Sequence, residues 1–326
     1  MIAAGRSSLT VDAAVLPALD AQPWVWAYYD ARELPDADTE ARTAALFRRH
    51  GVIASPELTA DTWDARRAQV AGLRFVPVLL PREPEGIAAD VPAWIARTAG
   101  TGVVPFAIPI DEPRRDDARA KVRAVSAQVR AAGGGPGRFL YAVTAGPHPA
   151  LGDAIDVYIA PTAVRGGVPA GTQAWTYNGA PGWAGAMVVD ADDGTMRSWG
   201  WLGFVYDVPL WYVWDALYWR DRHNRGRDRA PTHDLLTSSI TFDDGEDHGA
   251  LDGVLVYPGP LPSLRLVQLR LGLLDRLLLE AVAARRGREV ALAIARAVVP
   301  AEGPPRWPAD DAAWERLRVQ LLDALE

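Results

Sequence analysis

The side chains best placed for chemistry are Asp111 and Glu112, adjacent acids that close an apolar run and precede Pro113. Acids directly after an apolar run are costly unless they are exposed or functional. A carboxyl pair suits proton transfer, because the charge of one acid raises the pKa of the other and keeps it protonated. Neighbouring residues of a regular strand point to opposite faces. Both acids reach one site only if the backbone turns, and a strand end before a proline permits that. The same dipeptide also fits a solvated β–α loop whose acids favour the N-terminus of the next helix. Spacing alone leaves both readings open.

Other chemistries are excluded or weakened. The chain has no cysteine, which rules out disulfides, thiolate metal sites and a cysteine nucleophile. The five histidines, at positions 50, 148, 223, 233 and 248, show no paired metal spacing. The acidic stretches 190–194 and 243–249 do not match a calcium-loop frame, so solvated loops are expected, with no metal and no cofactor. No G-x-S-x-G elbow is present. A formal net charge of −7 argues against nucleic acid or an anionic membrane as partner. No apolar stretch is long enough for a membrane helix. The N-terminal run is broken by Asp12 and Asp20 and makes a poor signal peptide, which leaves the compartment open.

The elements that must position the acids follow from hydrophobic periodicity. Short apolar runs at 23–30, 52–55, 74–80, 103–110, 138–146, 156–161, 172–178 and 208–214 read as strands. Helical patterns separate most of them, at 39–51, about 59–71, 90–100 and, most clearly, 116–133. Eight mostly apolar strands interleaved with helices imply a parallel sheet covered by helices, and point to a single (β/α)₈ barrel. A doubly wound open sheet is the rival, but no G-x-G-x-x-G follows the first strand. The division expected is a barrel over 1–255 and a helical C-terminal segment over 256–326, packed on it. Its helices are expected at 262–287, 288–299 and about 310–325. Charged loops are expected at 220–233 and 243–253.

Barrel enzymes carry their sites at the C-terminal strand ends, where the fourth strand places Asp111 and Glu112. Glycoside hydrolysis usually employs two carboxylates on opposite faces of the sugar. The seventh strand, ending Trp175, Thr176, Tyr177 and Asn178, supplies no second acid. Adjacent acids suit instead the substrate-assisted route, in which an N-acetyl group is the nucleophile.

In these features the chain resembles glycoside hydrolase family 123 and the related domain of unknown function 4091. The likeness rests on Asp111-Glu112-Pro113 before a long helix, on the stretch 150–161, and on 252–275. That last segment is similar to the family's aspartate-glycine, tyrosine-proline-glycine and serine-x-arginine-leucine signature. The run from Arg197 through the eighth strand also fits. The likeness covers about 24–280 and implies β-N-acetylgalactosaminidase-like activity, with Glu112 as acid/base and Asp111 assisting the acetamido group. The chain departs from the family in having no room for its N-terminal β-sandwich. Residues 270–275 depart too, reading Arg, Leu, Gly, Leu, Leu, Asp where the family favours arginine-aspartate-glycine followed by acids.

The expected partner is a carbohydrate, in keeping with 13 tryptophans whose rings could stack on sugar faces, although core packing is their commoner use. Candidate pocket residues are Tyr29, Trp175, Tyr177, Trp211, Trp214 and Tyr257, each with a packing role as the alternative. Arg197 fits either an acid near the site or a structural ion pair. A barrel glycosidase for another sugar, and a glycan-binding barrel without catalysis, are the competing functions.

Overall fold

The computed structural model describes residues 23–179, 183–188, 191, 194–219 and 253–326. The expected charged loop at 220–233, nearly all of the acidic stretch 243–253 and most of 190–194 lie outside these residues. Eight strands run in one parallel sheet: β1 (Val25–Ala27), β2 (Val52–Ala54), β3 (Phe75–Pro77), β4 (Val104–Ala107), β5 (Leu140–Val143), β6 (Val157–Ile159), β7 (Gln173–Tyr177) and β8 (Trp211–Val213). Their order, β2-β1-β8-β7-β6-β5-β4-β3, curls into a (β/α)₈ barrel. The ring is joined beyond the end of β2, where Leu58 bridges Val78. Leu58 N–H donates to the Pro77 carbonyl at 3.0 Å, and the Leu58 carbonyl accepts from Leu79 at 2.9 Å.

Between strands run α1 (Ala37–Arg49), α2 (Ala60–Arg66), α3 (Pro84–Thr98), α4 (Asp116–Ala131), α5 (Pro161–Gly166) and α6 (Ser198–Val205). Only a 3₁₀ turn at Pro149–Leu151 links β5 to β6. Local chemistry sets several starts. Asp36 caps the Thr39 N–H of α1, and Thr59 and Thr62 form a reciprocal box on α2. Helix α3 starts six residues before the expected 90, because Pro84 is pre-shaped for the first helical turn, where its missing N–H costs nothing. Helix α6 escaped the periodicity argument for another reason. Ser198 through Phe204 are all buried, so it has no polar face to reveal a helical period.

After the barrel come a short hairpin, β9 (Val256–Tyr257) and β10 (Leu261–Pro262), and helices α7 (Leu264–Arg286), α8 (Arg288–Ala295) and α9 (Asp311–Asp323). These helices share one core with the outer faces of β1, β2 and β8, for Leu266, Leu273 and Trp314 cluster with Val25, Val52 and Trp211. Helices α6 and α7 cross so closely that a Cβ on Gly200 would lie 1.7 Å from the Gly272 carbonyl oxygen. The glycine in the 270–275 stretch is thus a helix-crossing device.

Strand parity sorts the aromatic residues. Trp26, Phe75, Phe106, Trp175 and Tyr212 contact ring to ring through the barrel interior, with Trp26 stacked on Tyr212 at 4.7 Å. Outside it, Trp211 stacks on Trp183 and on Trp199 of α6.

Candidate functional site

The fourth strand ends at Ala107, and the chain reaches Asp111 and Glu112 across an irregular turn. Glu112 has φ +38°, left-handed backbone that a non-glycine residue adopts at a cost of about 1–3 kcal/mol. This is the turn the two acids require to face one mouth. Thr144, just past β5, ties them together. Its hydroxyl accepts from the Glu112 N–H at 2.9 Å and donates to the Asp111 carboxylate. Tyr177, at the end of β7, donates its hydroxyl to Glu112 Oε1 at 3.0 Å. The other oxygen, Oε2, pairs with Arg114 Nη2 at 2.6 Å, an arginine that is 80% exposed. An open cleft of about 390 Å³ adjoins Glu112, lined also by Arg119, Thr144, His148 and Tyr177.

A third carboxyl stands at the mouth and was not anticipated. Glu57 lies on the short link between β2 and the ring-closing Leu58, and is half-buried. Burial first, and the negative charge of Asp111 second, push its pKa up to about 7. Asp111 is exposed to the mouth, yet loss of water around its carboxyl raises its pKa. The Thr144 hydrogen bond opposes that rise and the charge of Glu112 adds to it. The phenols of Tyr177 and Tyr212 are raised by burial and then by nearby acids, Glu112 for the first and Glu57 with Asp111 for the second. Tyr212 is thus within electrostatic reach of Glu57, Asp111, Asp215 and Tyr28.

Of the eight residues singled out from the sequence, the structure brings Asp111, Glu112 and Tyr177 together. Trp214 shares the inward parity of Tyr212. Its peptide is held by Asn178, whose side chain accepts from Trp214 N–H at 2.8 Å and donates to its carbonyl at 2.6 Å. Four residues require correction. Tyr29 is fully buried on the outward side of β1, donating to Glu40 at 2.7 Å, so Tyr28 takes the inward parity instead. Trp211 lies outside the barrel for the same reason, being an odd number of residues from Tyr212 and Trp214. Trp175 shares the inward parity of Tyr177 but sits one layer deeper, wedged against Phe75 and Phe106. Tyr257 anchors the β9–β10 hairpin on the outer core, 3.4 Å from Arg265 Nη2.

The signature stretch has a structural use here. At Gly253, with φ +82°, a Cβ would stand 2.5 Å from the Trp214 carbonyl oxygen, so only glycine passes that peptide. Arg197 forms a buried ion pair with Asp275, Nε to Oδ2 at 2.6 Å, structural in kind. His50 caps the C-terminal end of α1 with Nδ1 against the Leu46 carbonyl, a packing role. Among the described residues no group of histidine and acidic side chains is arranged to hold a metal ion, and no helix is long and apolar enough to cross a membrane.

No protein-family model matches the chain, and no curated protein matches it. The likeness to family 123 therefore rests on the motifs alone.

Proposed function

We propose that the chain is a glycoside hydrolase of β-linked N-acetylhexosaminides, working by substrate-assisted retention. The observation that carries the reading is the left-handed turn at Glu112, which lets two consecutive carboxyls face one barrel mouth. In this reading Glu112 gives its proton to the glycosidic oxygen as that bond breaks. The acetamido oxygen of the same sugar attacks the anomeric carbon and forms a cyclic oxazolinium ion. Asp111 accepts a hydrogen bond from the acetamido N–H and stabilises the positive charge. Glu112 then takes a proton from the water that opens the ring. Thr144 and Tyr177 keep the two acids in their roles.

A second reading has its own observation. The Arg114–Glu112 ion pair occupies one oxygen of the acid with a surface cation, which suits a glycan-binding barrel without catalysis. Release of p-nitrophenol from the β-N-acetylgalactosaminide, β-N-acetylglucosaminide, β-galactoside and β-glucoside separates the readings. Hydrolysis confined to the N-acetylated pair, and reduced about 10²–10⁴-fold in Glu112→Gln, is the expected result. Cleavage of the plain galactoside or glucoside would remove the acetamide from the mechanism and leave a hydrolase for another sugar. Binding of N-acetylated sugars without any cleavage would favour the second reading.

A further inference from the structure

The cleft of about 390 Å³ beside Glu112 has an unequal charged lining. Arg114, Arg119 and His148 contribute to it, and Glu112 is the one acid among its lining side chains. Asp111, which the proposed reaction sets against the acetamido group, does not line it. The cleft thus adjoins the acid and not the group that would hold the acetamide. Glu112 protonates the glycosidic oxygen in that reaction, so the cleft receives the group that leaves.

Arg119 is the cation with the least to do in the fold. Its side chain is 19% exposed, and among the described residues it makes one hydrogen bond, Nη1 to the Asp116 carboxylate at 2.8 Å. Asp116 is 92% exposed, and an i,i+3 pair of this kind on a helix surface stabilises little. Arginines that serve the fold engage the fork at two nitrogens. Arg130 meets Asp156 through both Nη atoms, at 2.9 and 2.7 Å, and Arg66 meets Glu40 through Nε and Nη2, at 2.8 and 3.1 Å. Most donors of the Arg119 guanidinium are left for a planar anion at the cleft wall.

The other two basic groups add to this. His148 Nδ1 accepts from Ala150 N–H at 3.1 Å, which leaves the ring N–H on Nε2 as a further donor. Arg114, 80% exposed, is tied to Glu112 Oε2 through Nη2. An anion in the cleft competes with Glu112 for this arginine and frees the oxygen that the proposed acid needs. The net charge of −7 opposes a polyanion at long range, but salt screens that field beyond about 8 Å, so within the cleft the near groups decide.

We propose that this cleft is the leaving-group subsite and that it takes an acidic sugar, one bearing a carboxylate or a sulfate ester, held by Arg119 with Arg114 and His148. The inference rests on the reading of the mouth as an N-acetylhexosaminidase site, and it names the substrate class as β-N-acetylhexosaminides of acidic sugars.

The test uses N-acetylgalactosamine or N-acetylglucosamine β-linked to methyl glucuronide, to sulfated methyl glucoside and to neutral methyl glucoside. Released N-acetylhexosamine gives kcat/KM, and calorimetric titration gives affinity, so a barrel that binds without cutting is also read. Wild type is expected to prefer an acidic disaccharide to the neutral one by about tenfold or more at low salt, with the margin narrowing at high salt. Preference for the glucuronide assigns the subsite to a carboxylate, and preference for the sulfated sugar assigns it to a sulfate ester. Arg119→Gln is expected to lose the preference, and Arg119→Lys, which keeps the charge without the fork, to retain part of it. Circular dichroism checks that both variants fold, and the wild-type comparison needs neither. Equal handling of acidic and neutral disaccharides by wild type, or a full preference in Arg119→Gln, overturns the acidic subsite while cleavage of the p-nitrophenyl N-acetylhexosaminides keeps the hydrolase. Wild type that neither binds nor cleaves any N-acetylhexosaminide overturns the reading of the mouth, and this inference with it.

Discussion

Asp275 and Glu57 are carboxylates drawn away from bulk water in two regions of one chain. Asp275, 0% exposed, lies where α6, α7 and α9 meet. Its oxygens accept from Arg197 Nε at 2.6 Å, Arg318 Nη2 at 2.8 Å and Trp201 Nε1 at 3.1 Å. Glu57, at the barrel mouth, has no partner among the described residues and holds its proton to about pH 7. In the first region the carboxyl is enclosed by donors on α6, α9 and the turn that bears Arg197. In the second the charge is suppressed and the group is left open toward the mouth. The contrast separates an acid enclosed by donors from one that has no partner among the described residues. Burial is costly in both cases, but only saturation with donors makes the ionised form tolerable.

Three measurements can break or sharpen that contrast. The largest effect is expected from Asp275→Ala, which strands Arg197, 1% exposed, with the half-open Glu315 as its one remaining counter-charge among the described residues. Loss of one partner of a buried pair costs about 3–5 kcal/mol. Urea denaturation should register it, and a loss below about 1 kcal/mol would show that the network is not structural.

Glu57→Gln should change stability in the opposite direction. The folded pKa is raised from 4.5 to about 7, so the unfolded chain gives up this proton first. Folding then requires a proton to be taken up, and stability falls as pH rises between about 4.5 and 7. Below that window both states hold the proton and nothing is lost. At pH 8 the glutamine variant should therefore be more stable than wild type by on the order of 3 kcal/mol, and equal to it near pH 4. Unfolding curves taken across this range decide it, and a glutamine variant that is less stable at pH 8 would mean that Glu57 has a partner in the fold.

The smallest effect is expected at Thr144, the hydroxyl that joins the two regions' logic by satisfying one acid without neutralising it. Thr144→Val should cost about 1–2 kcal/mol in stability. It should also lower the proposed hydrolysis by about tenfold or more, since Asp111 and Glu112 lose their common tether. Thr144→Ser should restore both. Recovery of stability without recovery of turnover would separate the tether from the chemistry.

Much of the architecture was legible because it rests on local pattern. Eight apolar runs gave eight parallel strands, and the clearest helix, expected at 116–133, spans Asp116–Ala131. The acids Asp111 and Glu112 were legible for the same reason, standing just beyond a strand where barrel sites are built. Glu57 stood in the same kind of position, three residues after β2, and inspection of that strand end would have found it. Aromatic side chains were harder. Tyr28 and Tyr29, or Trp211 and Tyr212, are chemically alike, and their faces depend on a register that composition does not show.

By itself the sequence determined the alternation of strands and helices, the absence of thiol chemistry and the acidic pair after the fourth strand. These follow from periodicity, composition and chain order, which are local properties. Only the tertiary structure decided which aromatic residues face the mouth, which carboxylates are met by arginines, and that Glu57 is half-buried beside the ring closure at Leu58. Those depend on the closure of the ring at Leu58 and Val78 and on the crossing of α6 and α7. Whether a charge is paired or exposed to a cleft is settled by groups far away in the chain, and the physical chemistry of an acid is set by what surrounds it.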